Sequence, residues 1–238
     1  MPRPSRNLDQ ALLDAGRALF PERGCAAMSV REVAEAAGVN LGMFHYHFKT
    51  REVFLRALMQ RTYEEMFARL TLEVRCGAAP VDNLRSALRA IARFVRDNRR
   101  FLVRVLVDAL SGEACARDFL AANLPRHLGV LQGLIAAGQK EGSLLPIAIP
   151  QAMGTCAGAL AMPIIFGGAL IDSGRLDPAA ARMFDATLLS DAALDERIDL
   201  VLAAISSRAA ARGAGKPKKA PRRSGRTAPA ATEKATRT

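Results

Sequence analysis

Tryptophan is absent from the 238-residue sequence, and aromatic residues make up only 5% of it. Cysteine is scarce as well: the four cysteines lie far apart, and no two form a Cys-x-x-Cys pair. These shortages exclude a disulfide-stabilised scaffold, while a hydrophobic content of 50% excludes a wholly disordered chain. The first ten residues are polar and do not resemble a signal peptide. We therefore expect a cytoplasmic protein with reduced thiols.

Histidine is nearly as rare and is poorly placed for a metal site. The sequence holds only His45, His47 and His127. On a helix His45 and His47 would point roughly 200° apart, because each residue turns the chain by about 100°, so they could not chelate one ion together. The nucleophile, zinc-protease and phosphate-loop motifs of common enzymes are also missing. We expect no enzyme, no metal site and no cofactor.

Acidic residues are scarce at one end of the chain only. The formal net charge is +11, but residues 208–238 carry ten Lys or Arg against one acidic residue, whereas residues 61–207 carry sixteen of each. The tail also lacks Leu, Ile, Val and aromatic residues, so it can bury almost nothing and is predicted to be disordered. A basic tail suits a polyanion, but it does not establish a surface that reads DNA sequence.

Alternating strand patterns are nearly missing, whereas helical periodicity recurs throughout the chain. Two apolar stripes show it best: Leu84, Leu88, Ile91 and Val95, and Leu194, Ile198, Val201 and Ile205. Further helices are predicted over 113–138, with a kink or break near Pro125, over 150–173 and over 192–207. The fold class predicted from these patterns is all-α.

The stretch 142–171 contains no charged residue over thirty positions, which is long enough to span a bilayer. It also holds Gly154 and Gly158, whose small size would let two helices approach closely. Three prolines interrupt it, as do Gln151 and Thr155, and a single span would leave the other amphipathic helices unexplained. We expect a buried helix at a subunit interface and no stable membrane association.

Residues 29–58 carry the most informative pattern. Ser29 followed by Glu32 predicts a capping box that opens a short helix. Gly38 suits a tight turn, because a positive φ costs glycine least, and a second short helix follows over about 40–46. Together these elements predict a helix-turn-helix. Its apolar contacts would come from Val33, Val39, Phe44 and Phe48.

The exposed side of the second helix suits the major groove of double-stranded DNA, where residues near a helix N-terminus face base edges. Gly42 would let the backbone approach the duplex, and Asn40 could cap the helix, contact DNA or do both. Lys49 and the Tyr46 hydroxyl could reach phosphates. The alternative is a helical hairpin held by an aromatic plug, with no role in DNA binding.

The run G-V-N-L-G-M-F-H-Y-H-F-K-T-R-E-V-F, which begins at Gly38, resembles the TetR family of transcriptional regulators. An upstream amphipathic helix, a turn at Gly24 and the run S-V-R-E-V-A-E-A-A-G fit the same family, so the resemblance covers about residues 8–58. It implies contacts at or near base edges from Leu41, Gly42 and Met43. It implies phosphate contacts from four further residues: His45, Tyr46, His47 and Lys49. Phe44 and Phe48 would be core.

Two features depart from the family pattern. His45 stands where a tyrosine is usual, so that contact is altered or sensitive to pH. Leu41 and Met43 are apolar where many relatives are polar, which favours contacts with thymine methyl groups. For His47 a hydrogen-bonded packing role fits the sequence as well as a phosphate contact does.

The resemblance also implies a domain organisation and a mode of action. A flexible arm would cover 1–7, a helix-turn-helix DNA-binding domain 8–60, a helical effector-binding and dimerisation domain 61–207, and a disordered basic tail 208–238. Dimerisation would use the helices around 150–173 and 192–207. Six apolar residues are candidates for an effector pocket, although such a set is also typical of plain core: Phe94, Phe101, Phe119, Met153, Met162 and Phe166.

The function implied is that of a ligand-responsive repressor that binds an inverted-repeat operator as a homodimer. Its partners would be double-stranded DNA, a second copy of the chain and a small apolar or amphipathic effector. The alternative is a nucleic-acid-binding protein without sequence preference, driven by the basic tail.

Overall fold

The computed structural model describes residues 5–74 and 77–206, and these residues form eleven α-helices and no strand. The helices are α1 (Ser5–Ala27), α2 (Val30–Ala36), α3 (Leu41–Phe48), α4 (Arg51–Glu73), α5 (Pro80–Asp97), α6 (Arg99–Leu110), α7 (Ala114–Lys140), α8 (Ile149–Met162), α9 (Gly168–Asp172), α10 (Pro178–Phe184) and α11 (Asp191–Ile205). Two π-helical segments, Pro163–Gly167 and Asp185–Leu189, follow α8 and α10. The all-α prediction is confirmed. The predicted basic tail and the first four residues of the predicted arm lie outside the described residues.

The first three helices and the first two turns of α4, which we call the head, pack around an aromatic core. Phe44 and Phe48 on α3 are buried, and their ring centroids lie 5.1 and 5.0 Å from that of Phe54 on α4. Val33 on α2 is fully buried against the same cluster. Gly38 makes the turn between α2 and α3 with a φ of +67°, as its type predicts.

The capping box predicted at Ser29 is wrong. Ser29 does precede α2, but its side chain makes no capping hydrogen bond. Glu32 instead pairs with Arg23 at 2.7 Å. The reason is that the chain turns at Gly24, whose backbone is non-helical as the sequence predicts, so Arg23 just before the turn lies beside the start of α2.

The head is fastened to the rest of the molecule, which we call the body, chiefly where α1 packs on α6. Asp108 on α6 is only 2% exposed. Its carboxylate accepts the Cys25 backbone N–H at 2.6 Å and pairs with Arg104 at 2.9 Å. Gly24 has a φ of +63°, and a Cβ there would lie 2.0 Å from the Arg104 side chain, so both conformation and space require glycine.

The body is a bundle in which α4, α5, α7, α8 and α11 share one apolar core. The stripe predicted on α11 is buried, and Leu84 and Leu88 of the stripe on α5 are buried as well. α7 continues through Pro125 as one helix, so the chain is not broken there. α10 and the two π-helical segments were not expected from the sequence.

A ladder of ion pairs runs between α5 and α11. Arginines four residues apart on α5 face aspartates four residues apart on α11: Arg85 with Asp199, Arg89 with Asp195 at 2.6 Å, and Arg93 with Asp191 at 3.2 Å. Each pair is partly exposed and contributes little energy alone. Their matched spacing fixes how the two helices are aligned along their length.

The charge-free stretch forms one run of helix, Ile149–Asp172, that is long and apolar enough to cross a membrane by length and composition. One such helix is weak support for a membrane span. Only 28% of its most apolar window is buried within the chain. Met162, Phe166 and Leu170 are 46%, 68% and 41% exposed.

Replacing Asp108 with alanine should lower the free energy of unfolding by about 3 kcal/mol, because the Cys25 N–H and the Arg104 guanidinium lose their buried acceptor. Glu35→Ala removes one partner of the exposed pair between Arg31 and Glu35 and should leave that free energy unchanged within error. Denaturant unfolding of both variants measures the difference. Equal effects would show that Asp108 does not fasten the head.

Candidate DNA-reading surface and ligand cavities

The outward face of α3 presents most of the residues predicted to contact DNA. Six of the eight are exposed and two are half-buried: Asn40, Leu41, Gly42, His45, Tyr46 and Lys49 are exposed, and Met43 and His47 are half-buried. Leu41 is 40% exposed and Tyr46 is 71% exposed, although both are large residues that a folded chain tends to bury. Phe44 and Phe48, on the opposite side, are buried as predicted.

Asn40 caps α3. Its Oδ1 accepts the Met43 backbone N–H at 3.0 Å, so the capping role predicted for Asn40 is confirmed. The cap uses only the side-chain oxygen, and the amide nitrogen of Asn40 is not needed for it. The start of α3 therefore has a fixed direction while Leu41 and Gly42 stay on the surface.

The C-terminal end of α3 is a strained turn at a basic residue. Lys49 has a φ of +56° and a ψ of −56°, and the Thr50 N–H donates to the Phe48 carbonyl at 2.5 Å. This γ-turn with positive φ is rare for a residue with a Cβ. Thr50 then caps α4 by accepting the Val53 N–H at 3.3 Å. Strain of this kind is typical of binding sites, since the surrounding structure must hold it in place.

His45 has one defined proton position. Its Nδ1 lies 3.1 Å from the Lys49 carbonyl oxygen, and because a carbonyl only accepts, Nδ1 carries the proton. In the neutral ring Nε2 is then an acceptor. A phosphate contact from Nε2 therefore requires the doubly protonated ring, whereas the neutral ring could accept from a base amino group.

His47 is half-buried and packs against its neighbours on α3. Its ring lies edge-on to Tyr46, with centroids 5.1 Å apart, and its buried Nε2 has no hydrogen-bond partner among the described residues. The ring therefore packs without the hydrogen bond that the predicted packing role included, and the phosphate contact stays a prediction. The Arg51 guanidinium is also used internally, since it donates to the carbonyls of Cys25 and Ala26 at 2.8 and 2.9 Å.

Between the helices of the body lies an apolar cavity of about 170 Å³, which we call the α4–α7 cavity because residues of α4, α5, α6 and α7 line it. A second cavity of about 270 Å³, the α8 cavity, lies between α5, α7 and α8. Both are lined almost entirely by apolar side chains. They share Ile91, Val95, Leu124 and His127, so they adjoin along one wall.

Four of the six predicted pocket residues line these cavities. Phe94, Phe101 and Phe119 line the α4–α7 cavity, and Met153 lines the α8 cavity. Met162 and Phe166 line neither, and their placement in a pocket is corrected: they lie on the exposed side of the Ile149–Asp172 run. Apolar character alone did not tell an inward face from an outward one.

The polar residues of the α4–α7 cavity were not predicted. The Tyr63 hydroxyl donates to the Asn123 carbonyl at 2.8 Å and lies 3.3 Å from His127 Nδ1. Asn123 and Gln60 exchange amide hydrogen bonds at 3.0 and 3.2 Å. Burial lowers the pKa of His127 and raises the pKa of Tyr63, so both stay neutral. These groups are hydrogen-bonded to one another, so a molecule in the cavity would meet a neutral and mainly apolar wall.

Within residues 5–74 and 77–206 no group of three or more His, Cys, Asp or Glu side chains is placed to hold a metal ion. Two other features of the described residues are suited to binding: the exposed face of α3 on the head and the neutral apolar cavities in the body.

Comparison with known proteins relates the head to one family. The sequence profile of bacterial regulatory proteins of the tetR family matches residues 12–58. The HTH-type transcriptional repressor KstR2 of Mycobacterium tuberculosis is 33% identical over 79 residues, which cover 33% of this chain and 40% of KstR2. The match thus spans less than half the length of that relative.

Solved structures are similar over most of the chain. FadR of Bacillus subtilis, in complex with stearoyl-CoA, has a TM-score of 0.63 at 16% identity. The alignment covers 82% of this chain and 98% of the FadR chain. The ketosteroid transcriptional regulator KstR2 of Mycobacterium tuberculosis has a TM-score of 0.62 at 19% identity, over 87% of this chain and 97% of the KstR2 chain. At these identities the likeness is one of fold. Residues 12–58 thus match the tetR family of bacterial regulatory proteins, and most of the chain shares the fold of these two regulators.

Proposed function

We propose that the protein is a ligand-responsive transcriptional repressor that binds an inverted-repeat operator as a homodimer in the cytoplasm. The observation that carries this proposal is the outward face of α3, which keeps Leu41 and Tyr46 exposed over the buried Phe44 and Phe48. A helix with this exposed face fits the major groove. The strained turn at Lys49 places a basic residue where the helix would leave the groove.

The roles on α3 divide by chemistry. Leu41 and Met43 would contact thymine methyl groups and so contribute sequence preference. Lys49 and the Tyr46 hydroxyl would contact phosphates, which fix position and carry no sequence information. The basic tail would add phosphate attraction without selecting a sequence.

The effector we infer is a small molecule with a substantial apolar part. The α4–α7 and α8 cavities adjoin at Ile91, and their polar groups are satisfied within the protein. The relatives support this chemistry, because FadR is described with stearoyl-CoA and KstR2 as a ketosteroid regulator. Any charged part of the effector would stay outside the cavities, because their walls hold no compensating charge.

The exposed side of the Ile149–Asp172 run would be covered by a second copy of this chain. Met162, Phe166 and Leu170 are exposed, and so is Leu200 on α11, which is 64% exposed. An added Cβ at Gly154 would meet nothing within 4 Å, so the surface beside it is open to a partner helix. Two-fold pairing of α8, α9 and α11 would bury these side chains and set the distance between the two heads.

Effector binding would act on the heads through Phe101. This residue of α6 lines the α4–α7 cavity, and its ring centroid lies 4.5 Å from that of Phe20 on α1. An effector that displaces Phe101 shifts the contact that positions α1. The effector and the operator then compete by favouring different head spacings.

Selection of bound duplexes from a random pool, with the full chain at near-physiological salt, should enrich an inverted repeat with half-sites about one helical turn apart or a multiple of it. Against the enriched operator, Lys49→Ala should weaken binding roughly tenfold and lower the salt slope by about one, because it removes a phosphate contact. Leu41→Asn should change the preferred sequence and keep the salt slope.

Lys140→Ala, at the end of α7 and distant from α3 in the fold, is the matched control and should change neither quantity. An unenriched pool from folded, dimeric protein would contradict the proposal and assign DNA binding to the basic tail.

Stearoyl-CoA or a ketosteroid should raise the Tm of the protein and weaken operator binding, because either offers an apolar body to the cavities. Ile91→Trp, at the wall that both cavities share, should abolish this response by filling the space. Leu110→Trp, at an 80% exposed position, should leave the response intact. Thermal unfolding and operator titration measure it; an Ile91→Trp protein that still responds would place the effector elsewhere.

Phe166→Glu should convert the dimer to a monomer, because a charge replaces a large apolar side chain at the proposed interface. Sedimentation velocity over a range of concentrations measures the change. Leu72→Glu on α4, where leucine is 81% exposed, is the control and should stay dimeric. A wild-type protein that sediments as a monomer would contradict the proposed interface.

A further inference from the structure

Two thiols meet at the junction between head and body. Cys25 lies near the C-terminal end of α1, and Cys115 is the second residue of α7. Cys25 is 1% exposed, while Cys115 is half-buried and packs against the same apolar cluster. The Cys25 N–H donates to the Asp108 carboxylate at 2.6 Å, and the N–H of Glu113, two residues before Cys115, donates to the Asp108 carbonyl at 2.9 Å. Two cysteines 90 positions apart in the sequence are thus brought to the same buried residue, Asp108.

The surroundings make the two thiols unequal. The hydrogen bond from Cys25 and the guanidinium of Arg56 lower the pKa of Cys115 to about 7, although burial and Asp118 act in the opposite direction. The hydrogen bond to Cys115, burial and the buried carboxylate of Asp108 all raise the pKa of Cys25. Cys115 is therefore the thiolate and the nucleophile, and Cys25 keeps its proton.

Arg56 is well placed to stabilise the Cys115 thiolate. It lies on α4 and pairs at 3.6 Å with Asp118, which is three residues beyond Cys115 on α7, and its positive charge lowers the pKa of Cys115. The position of Cys115 in the first turn of α7 adds the favourable end of a long helix dipole. Both features stabilise negative charge on the sulfur that solvent can reach.

We propose that Cys25 and Cys115 form a peroxide-reactive dithiol that closes into a disulfide between the head and the body. The Cys115 thiolate attacks one oxygen of a hydroperoxide, the O–O bond breaks, and hydroxide or alkoxide leaves, so that Cys115 becomes a sulfenic acid. The Cys25 sulfur then attacks the Cys115 sulfur, the S–O bond breaks, and the departing hydroxide takes the Cys25 proton to form water. The two thiols supply the two electrons that reduce the peroxide.

The disulfide would add a covalent link beside the hydrogen bond from the Cys25 N–H to Asp108. Because both cysteines lie beside Asp108, the bond would hold the head in the arrangement seen here. If the proposed function holds, the oxidised protein can no longer change head spacing, and its operator affinity stops responding to the effector. Cellular thiols would reverse the bond, as is usual for redox-sensing disulfides of the cytosol.

The test begins with reduced full-length protein treated with hydrogen peroxide, then alkylated and digested with trypsin without reduction. Cleavage after Arg23, Arg31, Arg104 and Arg117 should release peptide 24–31 joined to peptide 105–117, from protein that remains one chain in mass. Cys25→Ala should leave a sulfenic acid on Cys115 that a cyclic diketone traps. Cys115→Ser should leave Cys25 unmodified, and Cys156→Ser should behave as wild type.

Arg56→Gln should slow disulfide formation about tenfold at pH 7, because the thiolate fraction of Cys115 falls. Absence of the joined peptide, or links between chains or to Cys76 instead, overturns the proposal. Operator titration of the oxidised protein is a separate arm. A joined peptide with an unchanged effector response leaves the dithiol standing and overturns its link to regulation, whereas failure of operator selection bears on the proposed function alone.

Discussion

A buried carboxylate on α6 holds the head of this protein against its body. Asp108 accepts a backbone N–H from the end of α1 and pairs with Arg104, whose side chain passes so close to Gly24 that no other residue fits there. A buried carboxylate is costly unless it is paired and hydrogen-bonded, and both partners come from the junction itself. The carboxylate is therefore satisfied only when α1 and α6 are in register. The position of α3, which packs on α1, follows from that register.

The same junction lies beside the α4–α7 cavity. α6 carries Asp108 and Phe101 about two turns apart on the same side, and Phe101 contacts Phe20 of α1 while it lines the cavity. A change in the cavity is thus one side chain away from the head. The apolar contact between Phe20 and Phe101 can slide, whereas the hydrogen bonds of Asp108 are directional. In the proposed mechanism, an effector that displaces Phe101 would shift the apolar contact and leave the hydrogen bonds of Asp108 in place.

The sequence predicted the head well because the head depends on residues close together in the chain. The turn at Gly38, the cap at Asn40 and the buried Phe44 and Phe48 are all local features, and the structure confirms them. Contacts between residues far apart in the chain could not be predicted from the sequence. Asp108 looks like one more polar helix residue until it meets an N–H 83 positions away. The outward face at Phe166 has the same apolar pattern as an inward one, since a subunit interface and a core bury the same residue types.

The proximity of Cys25 and Cys115 is another long-range feature that the sequence could not predict, and it bears on the proposed regulation. In the sequence they are two isolated thiols, and only the fold brings them together with Arg56. They lie at the end of α1 that Asp108 already holds, so peroxide and effector would act on one joint by opposite means: the effector loosens it through Phe101, and the disulfide fixes it. The junction between α1 and α6 suits both effects, because Asp108 fixes its register while Phe101 and the two cysteines lie close to it.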